Sequence, residues 1–410
     1  MNRRLSPAWT LAILTGLNLF NYVDRFVLSA VLSPLKTELK IDDGQAGRIG
    51  TAFMIGYFLT SPIFGYLGDR YSRKWLIAVG IFVWSLGTVL TGFAPTLGIL
   101  LCFRVLVGLG EASYATVSPS LISDNYESTR RNMALTIFYV AIPVGAALGN
   151  ILGGQIAEHY SWRHAFIWAG APGLLLALVL LPFKEPERGQ VEGKAAEAKP
   201  SASDVLGLFR LPAYMLVVLG YVAYTFAMGA FAFWGPAFFE RVHHLTTSQA
   251  SSFFGAMIVV TGLLGTFLGG YLAGAWQKRN PAGYAWTIGL SVLAAVPLAV
   301  LGFTVASPLA AKAFLAASMF LLWFSTGPVN TLILDAVPVN LHSTAMALSI
   351  FLIHLLGDWW SPEIVGHLSD HWQSLQKAVL ILPGALFVAA ILWLVLAVKT
   401  KRVKTAAAIS

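Results

Sequence analysis

The 410-residue chain sets four charged side chains inside runs that are otherwise apolar. Asp24 and Arg25 are adjacent in LFNYVDRFVLSA; Arg104 and Glu111 are seven residues apart in RVLVGLGEA. On a helix, seven residues make two turns, so Arg104 and Glu111 share a face, whereas adjacent residues are turned ~100° apart. Asp24 and Arg25 therefore cannot both face one point. The chemistry open to such a set is proton and anion handling. A nearby cation stabilises a carboxylate, and desolvation favours its protonated form. A carboxyl moved between those two environments takes up and releases a proton, which makes Asp24 and Glu111 candidate proton-coupling groups. Arg25 and Arg104 are candidate substrate ligands, able to hold an anionic head group by charge-assisted hydrogen bonds. A structural ion-pair network is the competing reading. Later in the chain, His354 and Asp358 stand at i and i+4 on one helix face, and histidine titrates near neutral pH. Asn330, a lone amide in an apolar run, and Tyr221 and Tyr224, at i and i+3 ahead of Phe231 and Trp234, complete the candidate substrate-binding residues. Aromatic residues at this spacing fit helix packing equally well.

The elements that must position these groups are membrane helices. Of the residues, 57% are hydrophobic and 11% charged, with a mean hydropathy of +0.71. A soluble domain carries about a quarter charged residues. Apolar runs of ~20 residues place twelve spans, at 9–32, 46–68, 75–94, 98–122, 132–157, 164–183, 212–238, 248–275, 284–305, 309–334, 342–367 and 376–398. Of the 27 Lys and Arg residues, 18 then fall on one side of the membrane and 7 on the other, which puts both termini in the cytoplasm. The +8 net charge is mostly this topogenic surplus and implies no nucleic-acid partner. The N-terminal run lacks a small-x-small cleavage site and reads as a retained first span. A polar stretch within 184–211 reads as a cytoplasmic linker between residues 1–183 and 212–398, and 399–410 as a cytoplasmic tail. Cys102 is the only cysteine, no metal-spaced cluster and no Asn-x-Ser/Thr sequon occurs, and no cofactor or metal is expected.

The two halves repeat. GYLGDR at 65–70 recurs as GYLAGA at 270–275, NMALTIFYV at 132–140 as AMALSIFLI at 345–353, and GQIAEHY at 154–160 as GHLSDHW at 366–372. The order is the same and the offset is 205 to 213 residues throughout. Two six-helix halves repeated in parallel predict an all-α transporter fold with its site near the midplane, between the halves.

GYLGDRYSRK, at 65–74, resembles the loop signature of the major facilitator superfamily, departing at Gly68 and Ser72. The resemblance implies a gate in the loop between spans two and three, formed by Gly65, Asp69, Arg70, Arg73 and Lys74, with Asp124 and Glu127 as partners of Arg73. A glycine is expected to allow a tight turn there, and Asp69 to cap a neighbouring helix. The second copy has Gly274 and Ala275 where an acid and an arginine stood, and keeps Lys278 and Arg279. Arg104 with Gly108 and Gly110 resembles the superfamily's Arg-x-x-x-Gly-x-Gly pattern. Gly145, Gly149 and Gly153 form a small-residue stripe for close helix packing.

NYVDRF, GEASYATVSPSLISD, FYVAIPVGAALG and HLLGDWWSPEIVG together are similar to the spinster family of lysolipid and sphingosine 1-phosphate transporters, across nearly the whole chain. The resemblance implies twelve helices in two pseudo-symmetric bundles and proton-coupled alternating access of an amphipathic, lysolipid-like anion. It further implies a monomer in a bacterial inner membrane, with protons, substrate and bilayer as its partners. A proton-coupled symporter of small organic (sugar) acids and a multidrug efflux carrier are the alternatives. No His-Glu-x-x-His or Gly-x-Ser-x-Gly motif supports an enzyme.

Overall fold

The computed structural model describes residues 6–123, 125–126, 128–179, 206–338 and 341–409. All regular structure among them is helical. The helices are α1 (Pro7–Ala30), α2 (Leu32–Leu39), α3 (Asp43–Arg70), α4 (Arg73–Thr91), α5 (Leu97–Ser123), α6 (Ser128–His159), α7 (Trp162–Val179), α8 (Pro212–His243), α9 (Thr247–Gln277), α10 (Gly283–Thr304), α11 (Pro308–Leu322), α12 (Thr326–Asp335), α13 (His342–Ile353), α14 (Ser361–Trp372), α15 (Leu375–Val379) and α16 (Ile381–Ile409). Ten segments among the described residues are long and apolar enough to cross a membrane. The sixth predicted span corresponds to α7, which ends where the described residues end. The eleventh is not one α-helix: α13 passes through a π-turn at His354–Asp358 before α14. The tenth is likewise interrupted, by a 3₁₀ turn at Trp323–Ser325 between α11 and α12.

By internal contacts the chain divides into two units, Met1–Ala196 with His244–Ala256, and Glu197–His243 with Met257–Ser410. In the first, α1 lies along α6, α3 along α5, and α4 against α5 and α7. Glycines set these approaches. A Cβ on Gly145 or Gly149 would stand 2.6 Å from the Leu19 carbonyl or 2.4 Å from that of Val23, so the stripe on α6 seats α1. Gly108 faces the backbone of Phe53 on α3, and Gly110 that of Gly80 and Trp84 on α4. The two glycines of one motif thus serve two different neighbours. Leu14, Leu17, Ile81, Trp84, Tyr114 and Phe138 form the core between these helices. The segment His244–Ala256 belongs to this unit because α6 holds it: the Ser248 N–H donates to Glu158 Oε2 at 2.6 Å, and Gly154 abuts Ser251. In the second unit, α16 packs between α8 and α10, and α10 also packs on α11.

The gate segment differs from its expected geometry. Gly65 and Gly68 are not in a turn: α3 continues unbroken to Arg70, and the chain turns at Tyr71 and Ser72. Gly68 serves packing instead, since a Cβ there would stand 3.1 Å from Val117 on α5. Arg70 lies over the Tyr66 ring, Lys74 over that of Trp75, and Arg73 is buried at the start of α4. The Asp69 side chain, Asp124, Glu127 and the linker as far as residue 205 lie outside the described residues.

Candidate functional site

The first-half charges converge in the interior of the first unit. Asp24 and Arg25 do turn apart, as helical geometry requires. Asp24, 1% exposed, points to α4, where the Thr88 hydroxyl donates to its Oδ2. Arg25 points to α5 and donates from Nη2 and Nε to the same oxygen of Glu111, Oε2, at 2.8 and 3.2 Å. Glu111 is fully buried, whereas the Arg25 side chain is 27% exposed. Arg25 is therefore the accessible member of the Asp24–Arg25 pair.

Three aromatic rings surround the Arg25 guanidinium: Phe53 at 4.8 Å, Tyr22 at 5.2 Å and Tyr57 at 5.4 Å from Cζ. Cation–π attraction of this kind is strongest where the cation is desolvated. Arg104, 1% exposed, stands 5.2 Å from the same Phe53 ring, so two cations flank one aromatic side chain. Among the described residues, Arg104 Nε and Nη1, Asp24 Oδ1, Glu111 Oε1 and Asn21 Nδ2 are buried without a hydrogen-bond partner. Buried polar atoms normally have partners, supplied by protein or ordered water. Five such atoms on one group of facing helices make this the polar interior of the first unit.

Sequence reasoning did not single out Tyr22, Phe53, Tyr57, Thr88 or Asn21. A partial signal existed: Tyr22 is three residues before Arg25, and Phe53 and Tyr57 share a helix face four apart. Which helix they would meet was set by packing alone. Thr88 offers a direct test. Thr88→Val is expected to leave Asp24 without its donor and to cost about 1–3 kcal/mol, while Thr88→Ser keeps the bond; thermal unfolding in detergent separates the two.

In the second unit, the π-turn carries His354 and Asp358. His354 Nδ1 lies 2.9 Å from Asp358 Oδ1 and 3.0 Å from Oδ2. Both side chains are partly exposed, at 30% and 24%. The wide turn is held against α8 by two glycines: a Cβ on Gly229 would stand 2.3 Å from Asp358 Cβ, and one on Gly357 would stand 2.4 Å from Thr225 Oγ1. Such single π-turns are frequent at functional sites. Tyr221 and Tyr224 pack ring to ring at 6.1 Å. Tyr224 is 7% exposed, stacks near Trp393 and donates its hydroxyl to the Leu322 carbonyl, so its visible work is packing. Asn330 donates to the Thr326 carbonyl one turn back in α12. Trp234 is fully buried and donates to Pro362 O. No group of three or more potential metal ligands occurs among the described residues.

Long apolar helices, glycine-seated crossings and charges held in a buried polar interior define a polytopic membrane transporter. The sequence profile of the Major Facilitator Superfamily matches residues 14–357, and the chain belongs to that superfamily; it is a transporter of this class and not an enzyme. Within it the chain belongs to the spinster family. It is 37% identical over 394 residues to Protein spinster homolog 1 of Homo sapiens, covering 89% of this chain and 74% of that protein. It is 35% identical over 376 residues to Protein spinster of Drosophila melanogaster, where it covers 89% of its own length and 62% of the longer relative. The fold is also similar to the crystal structure of a bacterial homolog to the human lysosomal transporter Spinster, with a TM-score of 0.88 over 96% of this chain and 97% of that one, at 24% identity. The nucleoside transporter NupG shares the fold at a TM-score of 0.74 and 13% identity, over 94% and 98% of the two chains.

Proposed function

We propose that this protein is a secondary active transporter that moves an amphipathic organic anion, lysolipid-like, by proton-coupled alternating access. The observation that carries the reading is the Arg25–Glu111 pair. An accessible guanidinium is bound to a fully buried carboxylate and ringed by Tyr22, Phe53 and Tyr57. A phosphate or carboxylate entering beside Arg25 competes with Glu111 for the same N–H donors. Glu111, losing its cation, is then stabilised by taking a proton, because an unpaired buried carboxylate is costly. Substrate and proton thereby act on one ion pair. Asp24, adjacent in the chain but held on Thr88, supplies a second carboxyl with an open oxygen. The aromatic surround suits a ligand with apolar as well as anionic parts. His354 and Asp358 are assigned to the substrate pathway of the second half, and Tyr221, Tyr224 and Asn330 to its walls. The gate is assigned to Asp69, Arg70, Arg73 and Lys74 with Asp124 and Glu127. Its termini are assigned to the cytoplasm on the distribution of its lysines and arginines, and the monomer in a bacterial inner membrane rests on the family resemblance alone.

The test is reconstituted transport in proteoliposomes with a panel of lysolipids and small organic acids, with and without an imposed pH gradient. The expected result is saturable lysolipid accumulation that the gradient drives. Asp24→Asn and Glu111→Gln are each expected to abolish the gradient-driven part and to leave substrate exchange at equal pH. Unchanged gradient-driven flux in both variants refutes the coupling assignment. Accumulation of organic acids without lysolipid flux moves the substrate assignment to the small-acid symporters.

A further inference from the structure

The degenerate second copy of the gate sequence lies beside a cavity that the transport reading does not use. In the second unit a cleft of about 760 Å³ opens between the end of α9, the start of α10, and the α11 end with its 3₁₀ turn. Its walls are Leu272, Ala275, Leu290, Leu321 and Phe324. Thr287 and Ser291 also line it, but their hydroxyls are spent on the Gly283 and Ile288 carbonyls of their own helix, so the wall is effectively apolar. Glycine contact explains where the cleft begins. Gly265 and Gly269 bring α9 against Phe320 and Phe324, and beyond Gly269 the residues facing this space are larger. From Thr287 to Ser291 the wall runs roughly 6 Å along α10.

At the loop end stand Trp276, Arg279 and Asn280. Arg279 is exposed, and its guanidinium makes no ion pair or hydrogen bond to a described residue. Lys278, also exposed, is beside it. The first copy of this sequence carries Asp69; here the corresponding stretch has none, and no Asp or Glu occurs anywhere between Glu240 and Asp335. The cation is therefore without a local counter-charge in sequence, at the end of an apolar slot in helices that cross the membrane. A tryptophan and an arginine at the end of such a slot match the head-group level of a bilayer. Basic pockets between spans on this side of a membrane suit anionic lipid head groups.

We propose that this cleft is a binding site for an anionic phospholipid of the surrounding leaflet, its phosphate on Arg279 and Lys278 and an acyl chain along Leu290, Leu321 and Phe324. The second gate copy has Gly274 and Ala275 where the first has Asp69 and Arg70, so its cations face lipid with no acid in their own loop. The occupant is a resident lipid, distinct in position from the charges around Arg25.

Native mass spectrometry of the whole protein in detergent, titrated with phosphatidylglycerol or phosphatidylethanolamine, tests this. The expected result is preferential binding of phosphatidylglycerol, weakened about fivefold by Arg279→Gln, in line with the contribution of one basic residue near a membrane surface. Leu290→Trp, which fills the slot and keeps both cations, is expected to weaken it as well. Equal binding of the two lipids overturns the proposal, as does undiminished phosphatidylglycerol binding in either variant. Glycerol phosphate binding as tightly as the whole lipid also overturns it, because the site is then a surface anion patch without a tail slot.

Discussion

Arg25→Ala is expected to be the most destabilising change in the first-half site, at about 3–5 kcal/mol. Glu111 is fully buried, and its only hydrogen-bonded oxygen is held by Arg25. Removing the cation strands that carboxylate, whereas Glu111→Gln leaves a cation that is 27% exposed and still faces three aromatic rings. The two single variants are therefore unequal, with Arg25→Ala the worse. The double variant Arg25→Ala/Glu111→Gln should recover part of the loss, since a neutral amide is cheaper to bury than an unpaired charge. Thermal unfolding in detergent, followed by tryptophan fluorescence, checks the order. Equal destabilisation by the two single variants contradicts the asymmetry. The same experiment bears on function: Arg25→Ala is expected to weaken binding of anionic ligands more than of neutral ones, and equal loss for both counts against head-group recognition.

The second large effect is steric. Gly56 and Gly108 form one crossing between α3 and α5, where a Cβ on either would stand 2.1 Å from a backbone carbonyl oxygen, that of Val105 or of Phe53. Neither carbonyl can rotate away, because each belongs to a helix. Gly108→Ala is expected to push the helices apart and to cost at least 1–3 kcal/mol, the usual range for overpacking. It also shifts Phe53, and with it the ring that Arg25 and Arg104 share. Gly56→Ala acts on the same contact, so the double variant should cost less than the sum. Gly16→Ala is the control: nothing lies within 4 Å of its Cβ position, and alanine favours a helix by up to about 1 kcal/mol. A melting temperature lowered by Gly108→Ala and unchanged or raised by Gly16→Ala fits the crossing; equal effects do not.

Much of the architecture was legible in the sequence because a bilayer imposes a one-dimensional rule. A helix must stay apolar for about twenty residues to cross, so spans are countable from hydropathy alone. The form of the interruptions was not legible. Pro328 and Pro362 each remove an i→i−4 bond, to Phe324 and to Asp358, which marks where these helices are weakened, but not that one forms a 3₁₀ turn at 323–325 and the other a π-turn at 354–358. The gate segment shows the same limit. Its glycines suggested a turn, but inside a helix a glycine also permits close approach, and only the position of Val117 on α5 decides between the two uses.

For the site, the sequence by itself determined that Asp24, Arg25, Arg104 and Glu111 are charges within membrane spans needing company, and that Asp24 and Arg25 point in different directions. Charge burial cost and the 3.6-residue helical period suffice for both conclusions. Only the tertiary structure decided that Arg25 takes Glu111 and Asp24 takes Thr88. Those partners lie 86 and 64 residues away in the chain. The glycine-seated crossings of α1 with α6 and of α3 and α4 with α5 bring them together, and the approach of two helices depends on their combined side chains rather than on either sequence read alone.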